Sequence, residues 1–243
     1  MKYRKEDFYE TMNCKTILGK EAVKINDAKK EVLLDDGEVV NYDKLLVATG
    51  SLPFVPPMKG LEGVEKRFSF MSLDDAKELE SAISPSSKVL IIGAGLIGLK
   101  CAEGISKRVE SITVVDLADR ILSSILDRDG AEIVKSHIEK KNINFILNAK
   151  VDEFTGNKAL LSNGEEVEFD VLVVAVGVIP NTGLIKEING KVNRGIAIDE
   201  FCQTSIPDIY AAGDCCESFD ITLDQNSPCV TPKCLYAGRV CGS

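Results

Sequence analysis

Residues 89–116 read VLIIGAGLIGLKCAEGISKRVESITVVD, and this stretch decides the fold. Val89, Leu90, Ile91 and Ile92 are four successive apolar β-formers, the signal of a strand. They lead into Gly93-Ala94-Gly95-Leu96-Ile97-Gly98, a helix-forming segment follows, and Ile112–Val115 rise as a second strand that ends in Asp116. Each glycine has a physical task. Gly93 permits the tight turn, Gly95 lets the backbone approach a pyrophosphate, and Gly98 lets the helix pack closely on the strand. A phosphate at the helix N-terminus meets free N–H groups and the positive end of the macrodipole. Asp116 follows Gly93 by 23 residues, the spacing at which a carboxylate meets a ribose 2′-hydroxyl, so NAD is expected over NADP. The rival reading is an ordinary glycine-rich αβ turn. The two flanking strands and the placed acid favour the nucleotide, with Ala94, Leu96 and Ile97 of the turn counted among its cofactor-binding residues.

Working outward, residues 32–53 align without a gap on residues 159–180 at a constant offset of 127, with eleven identities in twenty-two positions. Leu33, Leu34, Gly37, Glu38, Val40, Asp43, Leu45, Val47, Ala48, Gly50 and Pro53 recur as Leu160, Leu161, Gly164, Glu165, Val167, Asp170, Leu172, Val174, Ala175, Gly177 and Pro180. Such a match implies a duplicated unit. In both copies a hairpin turn, Asp36-Gly37 in the first, precedes a buried strand, Leu45–Ala48 in the first. The first-copy counterpart of Gly93 falls before Met1. The chain is therefore expected to begin inside its first nucleotide-binding domain, past that domain's own phosphate turn.

The remaining signals are local. Glu6–Met12 reads as the end of a helix, and Lys15–Leu18 and Ala22–Ile25 as short strands. Pro53, Pro56 and Pro57 mark a linker or surface loop. Ser72 is the expected N-cap of a helix with Asp75 three residues on. Arg128–Lys140 reads as an amphipathic helix with Ala131, Val134 and Ile138 inward and His137 outward, and Ile143–Leu147 as the next strand. A polar loop is expected over 181–193, then strands at Gly195–Asp199 and Ile209–Ala212. Asp214 at the end of the latter suits a ligand-facing carboxylate, the rival being an Asp-capped turn. A final helix is expected from Thr231-Pro232.

The chain has 243 residues, of which 44% are hydrophobic and 28% charged, with a formal net charge of −9. That negative balance argues against nucleic acid and anionic membrane as partners. No apolar run reaches the roughly 20 residues of a transmembrane helix and no signal-peptide pattern follows Met1, so a cytoplasmic protein is expected. The eight cysteines, Cys14, Cys101, Cys202, Cys215, Cys216, Cys229, Cys234 and Cys241, include no CxxC pair, and His137 is the sole histidine. Neither a metal site nor a Cys/His nucleophile is expected. The thiols read as free, with Cys101 packing as a small apolar side chain.

Three segments together, VATGSLP at 47–53, IIGAGLIGL at 91–99 and IYAAGDCCE at 209–217, resemble the FAD-dependent pyridine nucleotide-disulfide oxidoreductases, nearest to NADH:rubredoxin reductases, the FAD/NAD part of NADH-nitrite reductases, and NADH oxidases. The resemblance implies an α/β fold, a Rossmann-like NAD-binding domain inserted in a partial FAD-binding domain of the two-dinucleotide type. The segments are 1–71 and 191–243 for the flavin domain and 72–190 for the NAD domain. It further implies that Ala48, Thr49 and Gly50 contact FAD, that Gly213 and Asp214 hold its ribityl chain, and that Ala22 meets its adenine through the backbone. Thr231 and Pro232 would begin the helix that approaches the flavin ring, and Val176 and Gly177 would lie near the nicotinamide. Lys100 stands where the family often has Glu. The FAD fingerprint is missing, as is the C-terminal domain through which members commonly dimerise, which leaves homo-oligomerisation open. Cys229 and Cys234 form a CxxxxC in a different place from the redox pair of some relatives, and a neutral role is expected for them.

The implied activity is hydride transfer from NADH to FAD and onward to an electron acceptor, a protein or a small molecule. It needs no catalytic acid or base from this chain. The rival is an NAD(H)-binding module whose incomplete flavin site leaves it catalytically silent.

Overall fold

A computed structural model of the protein describes residues 5–220 and 225–228. In chain order its elements are α1 (Phe8–Thr11), β1 (Ala22–Asn26), β2 (Glu31–Leu34), β3 (Val39–Asn41), β4 (Leu45–Val47), β5 (Ser51–Pro53), β6 (Arg67–Phe68), α2 (Leu73–Ala82), β7 (Lys88–Ile92), α3 (Leu96–Ile105), β8 (Ser111–Val115) and α4 (Arg128–Glu139). There follow β9 (Ile143–Ile146), β10 (Val151–Thr155), β11 (Lys158–Leu161), β12 (Glu166–Glu168), β13 (Val171–Val174), β14 (Val178–Pro180), α5 (Gly183–Glu187), β15 (Ile196–Ala197), β16 (Ile209–Ala211), β17 (Cys216–Asp220) and β18 (Gln225–Pro228). The chain forms two compact units, one of Leu52–Ile179 and the other of Met1–Ser51 with Pro180–Ser243.

The unit of Leu52–Ile179 is built on a five-stranded sheet of order β6-β13-β7-β8-β9, with every pairing parallel. Its central strands are buried on both faces, which is why their sequence does not alternate. Val89, Ile91, Ile112, Val114, Val171 and Val173 point into a core shared with Leu99, Cys101 and Ala102 of α3 and Ala131 of α4. Leu90, Ile92, Val115, Leu172 and Val174 point the other way, into a core with Leu61, Val64 and the meander β10-β11-β12. There Phe154 and Phe169 meet edge to face at 5.9 Å. Ala131, Val134 and Ile138 of α4 turn inward and His137 is exposed, as the 3.6-residue period requires. Ser72 caps α2 in a full capping box with Asp75.

Residues 52–71 belong to this unit although the sequence division leaves them with the flavin portion. The reason is packing: Leu61 and Val64 are buried in its second core, and Arg67–Phe68 add an edge strand to its sheet. None of these short features carries a periodic signal.

The other unit contains the meander β1-β2-β3, the parallel pair β4–β16, and the sheet β15-β17-β18. Its core joins Ile25, Val47, Ile185, Ile196, Ile209, Ala211, Cys215 and Cys216. Two expectations are corrected here. Lys15–Leu18 forms no strand, because this exposed stretch finds no ladder partner among the described residues. The 181–193 segment is not all loop, since Gly183–Glu187 forms α5, anchored by Ile185, which is fully buried in the core.

The internal repeat is a structural one. β2, β3 and β5 recur as β11, β12 and β14 at the same offset of 127. Both meanders also carry a register shift at one place, between Ala22 and Lys24 opposite Leu34 and between Val151 and Glu153 opposite Leu161. Gly37 and Gly164 close the two turns with φ of 88° and 87°, each donating to the carbonyl three residues back.

Candidate functional site

In the unit of Leu52–Ile179 the glycine turn sits at the carboxyl end of β7, flanked by the ends of β13 and β8, which is where open parallel sheets bind ligands. A methyl on Gly93 would come within 2.3 Å of the Ala175 carbonyl oxygen, and one on Gly98 within 2.0 Å of the Gly93 carbonyl oxygen. Gly93 also has φ of 110°. These two glycines are therefore fixed by internal crowding. Gly95 differs, because nothing lies within 4 Å of where its Cβ would be. It forms the N-cap of α3 with extended backbone and no side-chain cap. No side chain among the described residues caps α3, and the space beside Gly95 is open, which leaves room for a pyrophosphate at this helix N-terminus.

The acid at the end of β8 is in contact with this turn. Asp116 Oδ2 accepts the Ala94 N–H at 2.5 Å and Oδ1 accepts the Ala118 N–H at 2.8 Å. The Gly93 N–H donates to the Val115 carbonyl at 2.8 Å, and the Leu122 N–H donates to the Ala94 carbonyl at 2.9 Å. Ala94 and Gly98 are buried and Ile97 packs on the core, while Leu96 and Leu117 are 57% and 70% exposed beside the turn. Val176 and Gly177 follow β13, with Val176 N 3.2 Å from the position of a Gly93 Cβ, so they join the same end of the sheet. Arg120 is turned inward: its guanidinium donates to Asp119 at 2.7 Å and to the Leu126 and Ser123 carbonyls at 3.2 Å each. Lys100 pairs with Glu103 at 3.0 Å, and Glu103 also holds Lys141 at 3.3 Å. Cys101 is fully buried, and burial pushes its thiol up to about 12, so it is a neutral packing group.

In the other unit the strands β4 and β16 run parallel, which brings Ala48-Thr49-Gly50 beside Ala212-Gly213-Asp214. The Ala212 N–H donates to the Val47 carbonyl at 3.1 Å. The Thr49 hydroxyl donates to the Asn181 carbonyl at 2.6 Å, and the Asn181 N–H returns to the Gly50 carbonyl at 2.9 Å. Gly50 and Gly213 have φ of 65° and 85° with open space around them, so their backbone angle and not crowding demands glycine. Two motifs 164 residues apart, Ala48 to Ala212, thereby share one strand-end edge suited to a ligand. Ala22 opens β1 and pairs with Leu34, in a different sheet from β4 and β16. Thr231, Pro232, Cys229, Cys234 and Cys241 lie outside the described residues.

Two further contributors lie inside the 209–217 segment but were not singled out within it. Glu217 is 6% exposed, and its carboxylate accepts the Arg194 and Gly195 N–H groups at 2.9 and 3.1 Å and the Asn193 side-chain amide at 3.3 Å. Cys215 is fully buried and donates to the Val47 and Ala212 carbonyls. The sequence hint of Glu217 was its place at the end of the segment IYAAGDCCE.

The pyridine nucleotide-disulphide oxidoreductase family profile matches residues 6–238. The chain belongs to that family. It is 31% identical over 242 residues to nitrite reductase [NAD(P)H] of Bacillus subtilis, covering 97% of this chain and 30% of that protein. It is 32% identical over 254 residues to rubredoxin-NAD(+) reductase of Pseudomonas putida, covering 98% and 64%. Among solved structures, a NAD-dependent persulfide reductase from A. fulgidus superimposes with a TM-score of 0.85 at 30% identity, covering 98% of this chain and 46% of that one. The chain thus spans from under a third to just under two thirds of these relatives' lengths. The family's members are FAD- and NAD(H)-binding oxidoreductases, and the two-unit α/β architecture with its parallel sheet is that of their two-dinucleotide fold. No helix among the described residues is long and apolar enough to cross a membrane.

Proposed function

We propose that the chain is the NADH- and flavin-handling portion of an NADH oxidoreductase. Within it, Gly93–Gly98 and Asp116 receive the nucleotide, while Ala48–Gly50 and Gly213–Asp214 receive the flavin. The observation that carries the reading is the open space beside Gly95 at an α3 N-terminus that has no side-chain cap, next to a strand that Asp116 follows. The fit is chemical as well as geometric. N–H donors meet the pyrophosphate, and a carboxylate offers acceptors to the ribose hydroxyls. Arg120 is spent on its own loop, so the enclosed guanidinium nearest Asp116 in sequence is not free for a 2′-phosphate, which favours NADH over NADPH.

FAD, when bound, supplies the redox chemistry by taking hydride from NADH and passing electrons on. The chain's own residues bind and orient. The α3 N-terminus holds the phosphates, Val176 and Gly177 line the nicotinamide end, and the edge formed by β4 and β16 seats the ribityl chain through Gly213 and Asp214. Ala22 would meet the FAD adenine through its backbone, and Lys100 leaves a positive charge one turn into the helix. No proton need be held or moved by a side chain in these steps. The acceptor proposed is an electron-transfer protein or small oxidant: the relatives' names give rubredoxin and nitrite, and oxygen or a small disulfide fit the same chemistry. The division proposed follows the compact units, with the NAD domain in Leu52–Ile179 and the flavin domain in Met1–Ser51 and Pro180–Ser243, in place of boundaries at 71 and 190.

The test is a visible spectrum of the purified chain, followed by anaerobic titration with NADH and a panel of acceptors. Flavin absorbance that bleaches with NADH is expected. A colourless chain that binds NADH would make it a nucleotide-binding module, and a chain that binds neither would overturn both readings.

A further inference from the structure

Asp116 does more in this structure than end a strand. Both of its carboxylate oxygens are already engaged by backbone N–H groups, one of them in the glycine turn itself. The peptide units around Ala94 are held from two sides, with the N–H bound by Asp116 at 2.5 Å and the carbonyl bound by the Leu122 N–H at 2.9 Å. Asp116 is in turn anchored through its own backbone. Its N–H donates to the Ile146 carbonyl and its carbonyl accepts the Ala149 N–H, each at 3.1 Å. A chain of bonds therefore runs from the β9 end through Asp116 to the residue before Gly95. Ala94 is 1% exposed, so its N–H has no water to fall back on if the carboxylate is removed.

We infer that Asp116 is a positioning residue for the glycine turn, fixing the Ala94 peptide so that the Gly95 cradle is formed before nucleotide arrives. The inference rests on the reading of that turn as the NADH site. The two roles of the side chain are compatible by count, because a carboxylate offers about four acceptor positions and the N–H groups of Ala94 and Ala118 occupy two. The other two remain for the ribose hydroxyls. Asn at this position cannot reproduce the arrangement. One of its two terminal atoms is an amide nitrogen, which would face an N–H donor whichever way the group is turned.

The two roles separate with a ligand that lacks the hydroxyls. Calorimetric affinities of the full chain for ADP and for 2′,3′-dideoxy-ADP are to be compared in wild type and Asp116→Asn, with thermal melts as the folding control. A carboxylate that serves the ribose alone leaves dideoxy-ADP binding unchanged on substitution. A carboxylate that also sets the turn weakens it, by about tenfold for one lost hydrogen bond to a charged group. Dideoxy-ADP affinity within twofold of wild type overturns the inference. Failure of the wild-type chain to bind ADP at all overturns the nucleotide reading beneath it. Should Asp116→Asn not fold, the wild type still decides through the amide resonance of Ala94 in the absence of nucleotide. Protection of that amide from exchange with solvent is expected, and exchange at the rate of an open amide overturns the inference.

Discussion

The Cys215 thiol donates to the Val47 carbonyl at 3.6 Å, the same oxygen that receives the Ala212 N–H at 3.1 Å. Val47 immediately precedes Ala48-Thr49-Gly50, and Cys215 immediately follows Gly213-Asp214, so one buried carbonyl ties the two strand-end segments together. Cys215→Ala is expected to lower stability by about 1 kcal/mol, through a small cavity and a lost weak bond. Cys215→Ser, with a stronger donor of nearly the same size, is expected to lose less. Urea unfolding midpoints of the three proteins check the order.

Gly93 and Gly95 are two residues apart, and the structure separates their roles. Alanine at Gly93 combines φ of 110° with a methyl 2.3 Å from the Ala175 carbonyl oxygen, so Gly93→Ala is expected to cost about 3 kcal/mol or more. At Gly95 φ is −79° and nothing crowds the position. Gly95→Ala is expected to melt within about 1 kcal/mol of wild type, the span set by N-cap preferences, while its methyl enters the cradle and weakens NADH at least tenfold. Fluorescence titration with NADH beside thermal melts separates the two cases. Normal NADH affinity in Gly95→Ala would remove the pyrophosphate from that cradle.

Asp75 gives a pH prediction. Burial alone would raise its carboxyl, but the Met71 and Ser72 N–H groups and the Ser69 and Ser72 hydroxyls outweigh burial and hold it below the ordinary value of 3.8. A folded-state value below the unfolded one means that the charged form stabilises the fold above the unfolded value. That stability is lost as pH falls through the folded value. Asp75→Asn is therefore expected to cost about 1 kcal/mol near neutral pH and progressively less below about pH 4. Urea unfolding at pH 7 and pH 3 measures the difference, and an equal deficit at both would remove the carboxylate from the account.

How far the sequence was legible follows from where each signal is local. The glycine turn, its two strands and Asp116 are contiguous, so spacing alone predicts their arrangement, and the repeat predicts two meanders that share even a register shift. The unbroken apolar runs at Val89–Ile92 and Val171–Val174 are explained by a sheet covered on both faces. What escaped depends on tertiary context. Leu61 and Val64 belong to a single 3-10 turn too short to show a period yet are buried, and α5 is only five residues long with Ile185 as its anchor. The contact of Asp116 with Ala94 could not be read either, because 22 residues of sequence say nothing of which atoms a carboxylate meets.

Glu217 is the residue whose importance is least visible in sequence. Its carboxylate fastens three successive residues, Asn193, Arg194 and Gly195, to the start of β17. Gly195 lies flush against that strand, where a Cβ would stand 2.8 Å from the Cys216 carbonyl carbon. Glu217→Ala leaves the buried Gly195 N–H and the part-buried Arg194 N–H without their acceptor, and a loss of about 2 kcal/mol is expected. Glu217→Gln keeps one acceptor oxygen and is expected to lose about half of that. Every residue of the glycine turn lies in the other compact unit, Leu52–Ile179. Neither variant should therefore change NADH affinity, although both should lower the temperature at which flavin is released. Parallel measurement of flavin release on heating and of NADH binding at 25 °C checks the split. A fall in NADH affinity matching the fall in stability would mean that the two nucleotide sites do not fold independently.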